Sequence, residues 1–305
     1  MSASDDNAAD RDLAVAIAAR RSGEAVDVRK HAQGANNDIY VASGSGEKFV
    51  VKLSKPHREN GALEEYRKEA WCAGRARALG VPTPQVMEVG VEAGRAFEVA
   101  AFVDGRPPLP ADEAATWHAL GSYARRIHEI PTTGWGVRFA EDGVFSESWL
   151  AHLEYNINAL VPGDELLARS VFDAAMSRKL RGEFERLRRT DFQFGLCHGD
   201  ITLQNMLIGE GGTSWLLDWG CAAAAVVPHY EINEILRTAK ASPPLLEAFL
   251  DGYQLSTETF VAMDRDLRAL AAMREVDTLR WALDRKPDMI APLSASARVV
   301  VAKIA

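Results

Sequence analysis

Leu196–Asn205 reads LCHGDITLQN, and Trp215–Gly220, a few residues later, reads WLLDWG. Phe194 to Cys197 is apolar and of strand length, so it predicts a short buried strand that delivers His198, Gly199 and Asp200 into a loop. Asn205 follows after four intervening residues. Met206 to Ile208 predicts a second strand, Gly209 to Gly212 a turn, and Trp215 to Leu217 a third strand that ends on Asp218. The order is Asp, Asn, strand, turn, strand, Asp.

His-Gly-Asp alone is a common turn with a capping aspartate. The spacing makes it more than that, because a hairpin folds Asp218 back beside the loop that holds Asp200 and Asn205. Phosphoryl transfer needs such a set: one carboxylate to take the proton of an incoming hydroxyl, and two hard oxygens for magnesium, whose remaining ligands are phosphates and water. Asp200 fits the first role, and Asn205 with Asp218 the second.

A second constellation lies upstream. Lys52 interrupts the apolar strand KFVVKL, where a lysine is costly to bury unless it is paired. Leu63 to Leu79 predicts a helix ended by Gly80 and Pro82, with Ala62, Tyr66, Glu69, Ala73 and Ala76 on its inner face. Glu69 is therefore the expected partner of Lys52. Between residues 31 and 40, HAQGANNDIY predicts a Gly/Asn loop entering a strand. Gly34 and Asn36 in that loop are candidates to present backbone N–H groups to phosphates.

The chain has 305 residues, 35 basic and 43 acidic, for a net charge of −8. That balance argues against nucleic acid or an acidic membrane surface as main partner. Three cysteines without CxxC spacing predict a reducing compartment, with neither a disulfide framework nor a zinc site. The start MSASDDNAAD is unlike a signal peptide and is expected to be disordered, and no apolar run reaches membrane length. These features predict a soluble cytoplasmic protein and leave its oligomeric state open.

The chain divides by pattern. Residues 11–104 carry a helix from Asp12, hairpins at Ile39–Leu53 and Val86–Val103, and the helix with Glu69. FVDGRPPLP at 102–110 is the sharpest composition break. Residues 105–305 are mainly helical, with helices expected from Asp112, over Ser148–Leu160 and Val171–Arg189, and near His229–Lys240, Pro244–Tyr253 and Thr257–Leu283. The fold class expected is α+β with two lobes, an antiparallel sheet with one helix followed by a mainly helical lobe.

HGD with Asn205, the WLLDWG strand end, Lys52 and Glu69 in order, and FVDG at the junction resemble the aminoglycoside phosphotransferase family, from about Asp27 to Leu283. The resemblance implies a protein-kinase-like bilobal fold and an ATP- and magnesium-dependent enzyme. It also implies Asp200 as catalytic base, Asn205 and Asp218 as magnesium ligands, and Lys52 on the nucleotide phosphates with Glu69 anchoring it. Backbone groups near Ala101 and Val103 would meet the adenine. The acceptor it favours is a hydroxyl of a cationic small molecule of the aminoglycoside type. Alternatives are a metabolic kinase for an amino alcohol or sugar (choline-, homoserine- or fructosamine-kinase-like) and a non-catalytic nucleotide-binding pseudokinase. Two departures stand out: a single glycine, Gly34, in the phosphate loop, and Glu231 where the family carries aspartate. Glu154, Asp164, Glu165, Glu231, Glu234, Asp277 and Asp284 are the acidic candidates for an acceptor pocket, with Trp149, Tyr155, Tyr230 and Trp281 as possible aromatic lining. Cys221 reads as a small filler beside Asp218.

Overall fold

A computed structural model describes residues 3–304 apart from 34–35, 45, 59–60 and 239–242. The chain opens with helix α1 (Ala3–Ser22), strands β1 (Asp27–Gln33), β2 (Asn37–Ser43) and β3 (Lys48–Ser54), and helix α2 (Ala62–Ala78). Strands β4 (Val86–Glu92), β5 (Arg95–Ala101) and β6 (Gly105–Arg106) follow. After them come α3 (Glu113–His128), β7 (Trp135–Phe139), β8 (Phe145–Glu147), α4 (Trp149–Ala159), α5 (Glu165–Ala168) and α6 (Ala174–Arg189). Next are β9 (Phe194–Cys197), β10 (Met206–Gly209), β11 (Ser214–Leu216) and β12 (Ala223–Val226). The described chain closes on α7 (His229–Thr238), α8 (Pro243–Tyr253), α9 (Thr257–Ala262), α10 (Asp264–Arg285) and α11 (Ile290–Val301).

Two compact units result. The first comprises Met1–Thr116, Phe139–Val144 and Thr202–Ala222, and the second Trp117–Arg138, Phe145–Ile201 and Ala223–Ala305. This division differs from a single cut at residue 104. The reason is that β10 pairs with both β11 and β6, while Leu216 N–H donates to the Pro82 carbonyl, so the segment carrying Asn205 and Asp218 condenses onto the first unit.

In the first unit an antiparallel sheet runs in the order β1-β2-β3-β5-β4. Strand alternation sends Phe49, Val51, Leu53, Phe97 and Val99 to one face, where they pack with Ala14, Ile17 and Ala18 of α1. The opposite face carries Val50, Lys52, Glu98 and Ala100. Helix α1 already includes residues 3–10, where disorder was expected. Asp10 is fixed by Arg95, whose guanidinium meets its carboxylate at 2.6 Å. The helix expected from Asp12 is thus present and begins earlier, at Ala3, beside the sheet that also carries α2.

In the second unit β8-β7-β12-β9 form a small sheet. One apolar core of this unit joins Leu153 and Ile157 of α4, Leu180 and Phe184 of α6, and Ala272, Val276 and Leu279 of α10. The apolar run after Cys221 is the buried strand β12, which pairs with β9 from Ala223↔Cys197 to Val226↔Phe194. The helix expected over Thr257–Leu283 is two, α9 and α10. The helix expected near His229–Lys240 ends at Thr238, and residues 239–240 lie outside the described set. Among the described residues no helix is long and apolar enough to cross a membrane.

Candidate active site

In the first unit a cavity of about 520 Å³ is lined by Asn36, Lys52, Glu69, Glu98, Ala101, Val103, Asn205 and Asp218, among others. Seven residues singled out from the sequence thus converge on one space. Gly34 lies outside the described residues.

Lys52 is the centre of this group. Its Nζ donates to both carboxylate oxygens of Glu69, at 2.9 and 2.7 Å, and lies 3.9 Å from Asp218 Oδ1. The ammonium also sits 5.3 Å from the Tyr66 ring centroid. Burial opposes its charge, but Glu69, Glu98 and Asp218 outweigh burial and hold its pKa above the ordinary lysine range. Tyr66 is itself positioned by its hydroxyl, which donates to Asn37 Oδ1 at 2.6 Å.

Glu98 is the residue the sequence reading passed over. It stands opposite Lys52 in the β3–β5 register, is buried, and among the described residues leaves Oε2 without a hydrogen-bond partner. Burial, then the neighbouring Glu69, raise its pKa. The signal was present in RAFEVAA, where one carboxylate interrupts an apolar strand just as Lys52 interrupts KFVVKL.

Asn205 and Asp218 are held together by the β10–β11 hairpin, since Leu217 N–H donates to the Asn205 carbonyl at 2.8 Å. Asp218 has φ +62°, a left-handed conformation uncommon outside glycine but tolerated by Asp and Asn. The residues after it are anchored: Trp219 Nε1 donates to Thr83 Oγ1 at 2.9 Å, and Lys68 Nζ to the Gly220 carbonyl at 2.8 Å. The donor set, an amide oxygen and a half-exposed carboxylate, fits magnesium, which takes few protein ligands and all of them oxygen.

Asn36 accepts Lys55 N–H at its backbone carbonyl. Asp38, expected in the same phosphate loop, is instead buried in β2 between Lys30 Nζ at 2.9 Å and Lys55 Nζ at 2.6 Å. Ala101 N–H is engaged by the Gln85 carbonyl at 2.9 Å.

Asp200 belongs to the second unit, at the exit of β9. His198 is fully buried, and its Nδ1 accepts Asp200 N–H at 3.3 Å, a supporting role. Glu231, at the start of α7, accepts N–H bonds at one carboxylate oxygen from both His198 and Gly199. Glutamate at this position therefore braces the loop that carries Asp200. A carboxylate oxygen of Glu231, a ring nitrogen of His128 and Cys197 Sγ lie within 4.8 Å of one another.

The second unit also holds a cavity of about 670 Å³. Its wall includes β12, the partner of the strand that leads to Asp200, and Tyr230, Asn233 and Glu234 of α7. Trp149, Tyr155, Tyr230 and Trp281 line it, as do Glu234 and Asp277. Glu154, Asp164, Glu165, Glu231 and Asp284 do not, while Trp135 and Glu147 were not anticipated.

The family model described as the phosphotransferase enzyme family matches residues 27–282. Among solved structures the chain is similar to a thermostable mutant of aminoglycoside phosphotransferase APH(4)-Ia in ternary complex with ADP and hygromycin B. That likeness has 16% identity, covers 94% of this chain and 97% of that one, and has a TM-score of 0.67. Macrolide 2'-phosphotransferase MphH from Brachybacterium faecium is similar at 16% identity, 96% and 98% coverage and TM-score 0.62. LicA in complex with AMP is similar at 13% identity, 95% and 98% coverage and TM-score 0.61. Comparison with curated proteins finds no match.

Proposed function

The chain belongs to the phosphotransferase enzyme family, and from that premise we propose that it transfers the γ-phosphoryl group of ATP to a hydroxyl of a small molecule. The observation that carries this reading is Lys52 clamped by both oxygens of Glu69, with Asp218 beside it and Asn205 in the same cavity. Lys52 binds nucleotide phosphates, Glu69 fixes Lys52, and backbone groups near Asn36 and at Ala101 and Val103 meet phosphate and adenine. Asn205 and Asp218 would hold magnesium, which when bound neutralises charge on the phosphates.

Asp200 orients the acceptor hydroxyl and accepts its proton. The acceptor oxygen bonds to the γ-phosphorus as the bond from that phosphorus to the β,γ-bridging oxygen breaks, and ADP leaves with the electron pair. Retention of Lys52, Asp200, Asn205 and Asp218 together weighs against a pseudokinase. An aminoglycoside-type acceptor draws support from the likeness to the hygromycin B complex, and a metabolic amino alcohol or sugar is the second reading.

The test is an ADP-release assay over aminoglycosides, macrolides, amino alcohols and uncharged glycosides, with Asp200→Asn as control. Acceptor-dependent release that falls by about 10²-fold or more in Asp200→Asn is expected. Nucleotide binding without acceptor-dependent release from any compound overturns the reading.

A further inference from the structure

The cavity of about 670 Å³ is lined by three carboxylates, Glu147, Glu234 and Asp277, and by three guanidiniums, Arg138, Arg274 and Arg280. Every one of these carboxylates is already engaged. Glu147 takes Val137 N–H at 3.0 Å and faces Arg138 at 3.7 Å. Glu234 is in contact with Arg274 and accepts from Arg237 at 2.7 Å. Asp277 meets His152 Nε2 at 3.0 Å and accepts from Asn156 Nδ2 at 2.9 Å. Asp164, behind the wall, receives Arg280 at 2.8 Å.

Three of the lining aromatic rings are occupied in the same way. The Arg280 guanidinium carbon lies 5.5 Å from the Tyr155 ring centroid, Lys286 5.8 Å from that of Trp281, and the His152 ring 4.3 Å from that of Trp135. A cation entering here has no uncommitted carboxylate to meet, must approach arginines, and finds these rings already bearing a basic group. The tryptophan and tyrosine surfaces still offer broad contact to an apolar or ring face, and the carboxylate–guanidinium pairs offer hydrogen-bonding edges.

From this balance we propose that the acceptor is an uncharged hydroxylated ring compound, such as a neutral glycoside, and not a polycation. The inference rests on the phosphotransferase reading and sets aside the aminoglycoside-type acceptor in favour of an uncharged one. It also replaces the expectation that clustered carboxylates would select a cationic substrate: the carboxylates are present, but each is already engaged by partners within the fold.

The test is calorimetric titration of the full chain with a panel of uncharged glycosides (methyl and phenyl glucosides, and a neutral macrolactone glycoside) and with kanamycin as the polycation, at low and high salt, with ADP release followed in parallel. Saturable binding of at least one uncharged compound, changing less than about twofold with salt, is expected, with kanamycin at least about tenfold weaker. In Arg138→Gln, an exposed change that releases Glu147 from its guanidinium, kanamycin affinity should rise about threefold or more. Kanamycin binding tighter than every uncharged compound and weakened by salt overturns the inference, and ADP release in that case leaves the phosphotransferase reading standing. No saturable binding of any uncharged compound also overturns it. Uncharged binding without ADP release supports the charge selection and counts against the transfer reading instead.

Discussion

Glu98 faces Lys52 directly across the sheet, the two residues in register on β5 and β3. Together with Glu69 and Asp218 it brings the carboxylates around one ammonium to three. Burial and the neighbouring Glu69 keep Glu98 protonated above the ordinary carboxylate value of 4.5. A raised folded value means that the contribution to stability is fully present below 4.5 and is lost as pH rises through the folded value. Glu98→Gln should therefore melt near the wild type at about pH 4.5 and above it at about pH 9, by on the order of 1–2 kcal/mol. Thermal melts across that range check this, and a constant difference between the two proteins would contradict it.

Lys52→Met leaves Glu69 buried without its cation. Breaking such a pair costs about 3–5 kcal/mol, whereas replacing both partners with apolar groups is often close to neutral. Denaturant titration should show Lys52→Met strongly destabilised and Lys52→Met with Glu69→Leu recovering most of the loss. Nucleotide affinity should stay low in both. Recovery of affinity in the double variant would remove Lys52 from phosphate binding.

Much of this site was legible because its residues break a pattern. A lysine in KFVVKL and a carboxylate on the inner face of α2 are costly unless paired, so Lys52 and Glu69 could be read together, and they are 2.7 Å apart. Glu98 breaks the pattern of β5 in the same way. It was missed because its cross-strand neighbour depends on β3 pairing with β5, a non-local register that periodicity does not carry. The same limit explains β12: CAAAAVV has no alternation, and only pairing with β9 makes it a strand. The pairing of carboxylates in the larger cavity was illegible for a further reason. Glu234 and Asp277 were found, but their partners Arg274 and His152 are set by helix packing and by α4 folding against α10.

Glu231 braces the backbone that presents Asp200, and burial lifts its pKa to about 7 against the lowering effect of the Gly199 and His198 N–H groups. Its contribution to stability is thus present below its ordinary value of 4.5 and lost as pH rises through about 7. His128, held neutral by burial down to about 3, acts in the opposite sense at acid pH, so the informative quantity is the difference between wild type and Glu231→Gln. That variant keeps an acceptor oxygen for both N–H groups and should gain on the wild type between about pH 5 and 8 by on the order of 1–3 kcal/mol. Glu231→Ala leaves both donors unmet, which costs about 2–4 kcal/mol, and should lower kcat with nucleotide affinity little changed. Melts that remain parallel for wild type and Glu231→Gln would show that Glu231 does not titrate in this window.

Asp218→Asn separates charge from shape at the candidate metal position. Asparagine tolerates the left-handed φ of +62° that Asp218 adopts, so the turn held by Trp219 and Lys68 should persist. The side chain is more than half exposed, at 58%, and stability should stay within about 0.5 kcal/mol of the wild type. Magnesium affinity should change far more, because an amide oxygen replaces a full negative charge toward a hard divalent ion. In the wild type, magnesium is expected to tighten ATP binding by about tenfold or more, equivalent to about 1.4 kcal/mol. In Asp218→Asn that enhancement should fall to about twofold or less, while binding of magnesium-free nucleotide improves as a carboxylate facing the phosphates is removed. Titrations with and without magnesium decide it: an enhancement equal to the wild type's would take Asp218 out of the metal site, whatever happened to turnover.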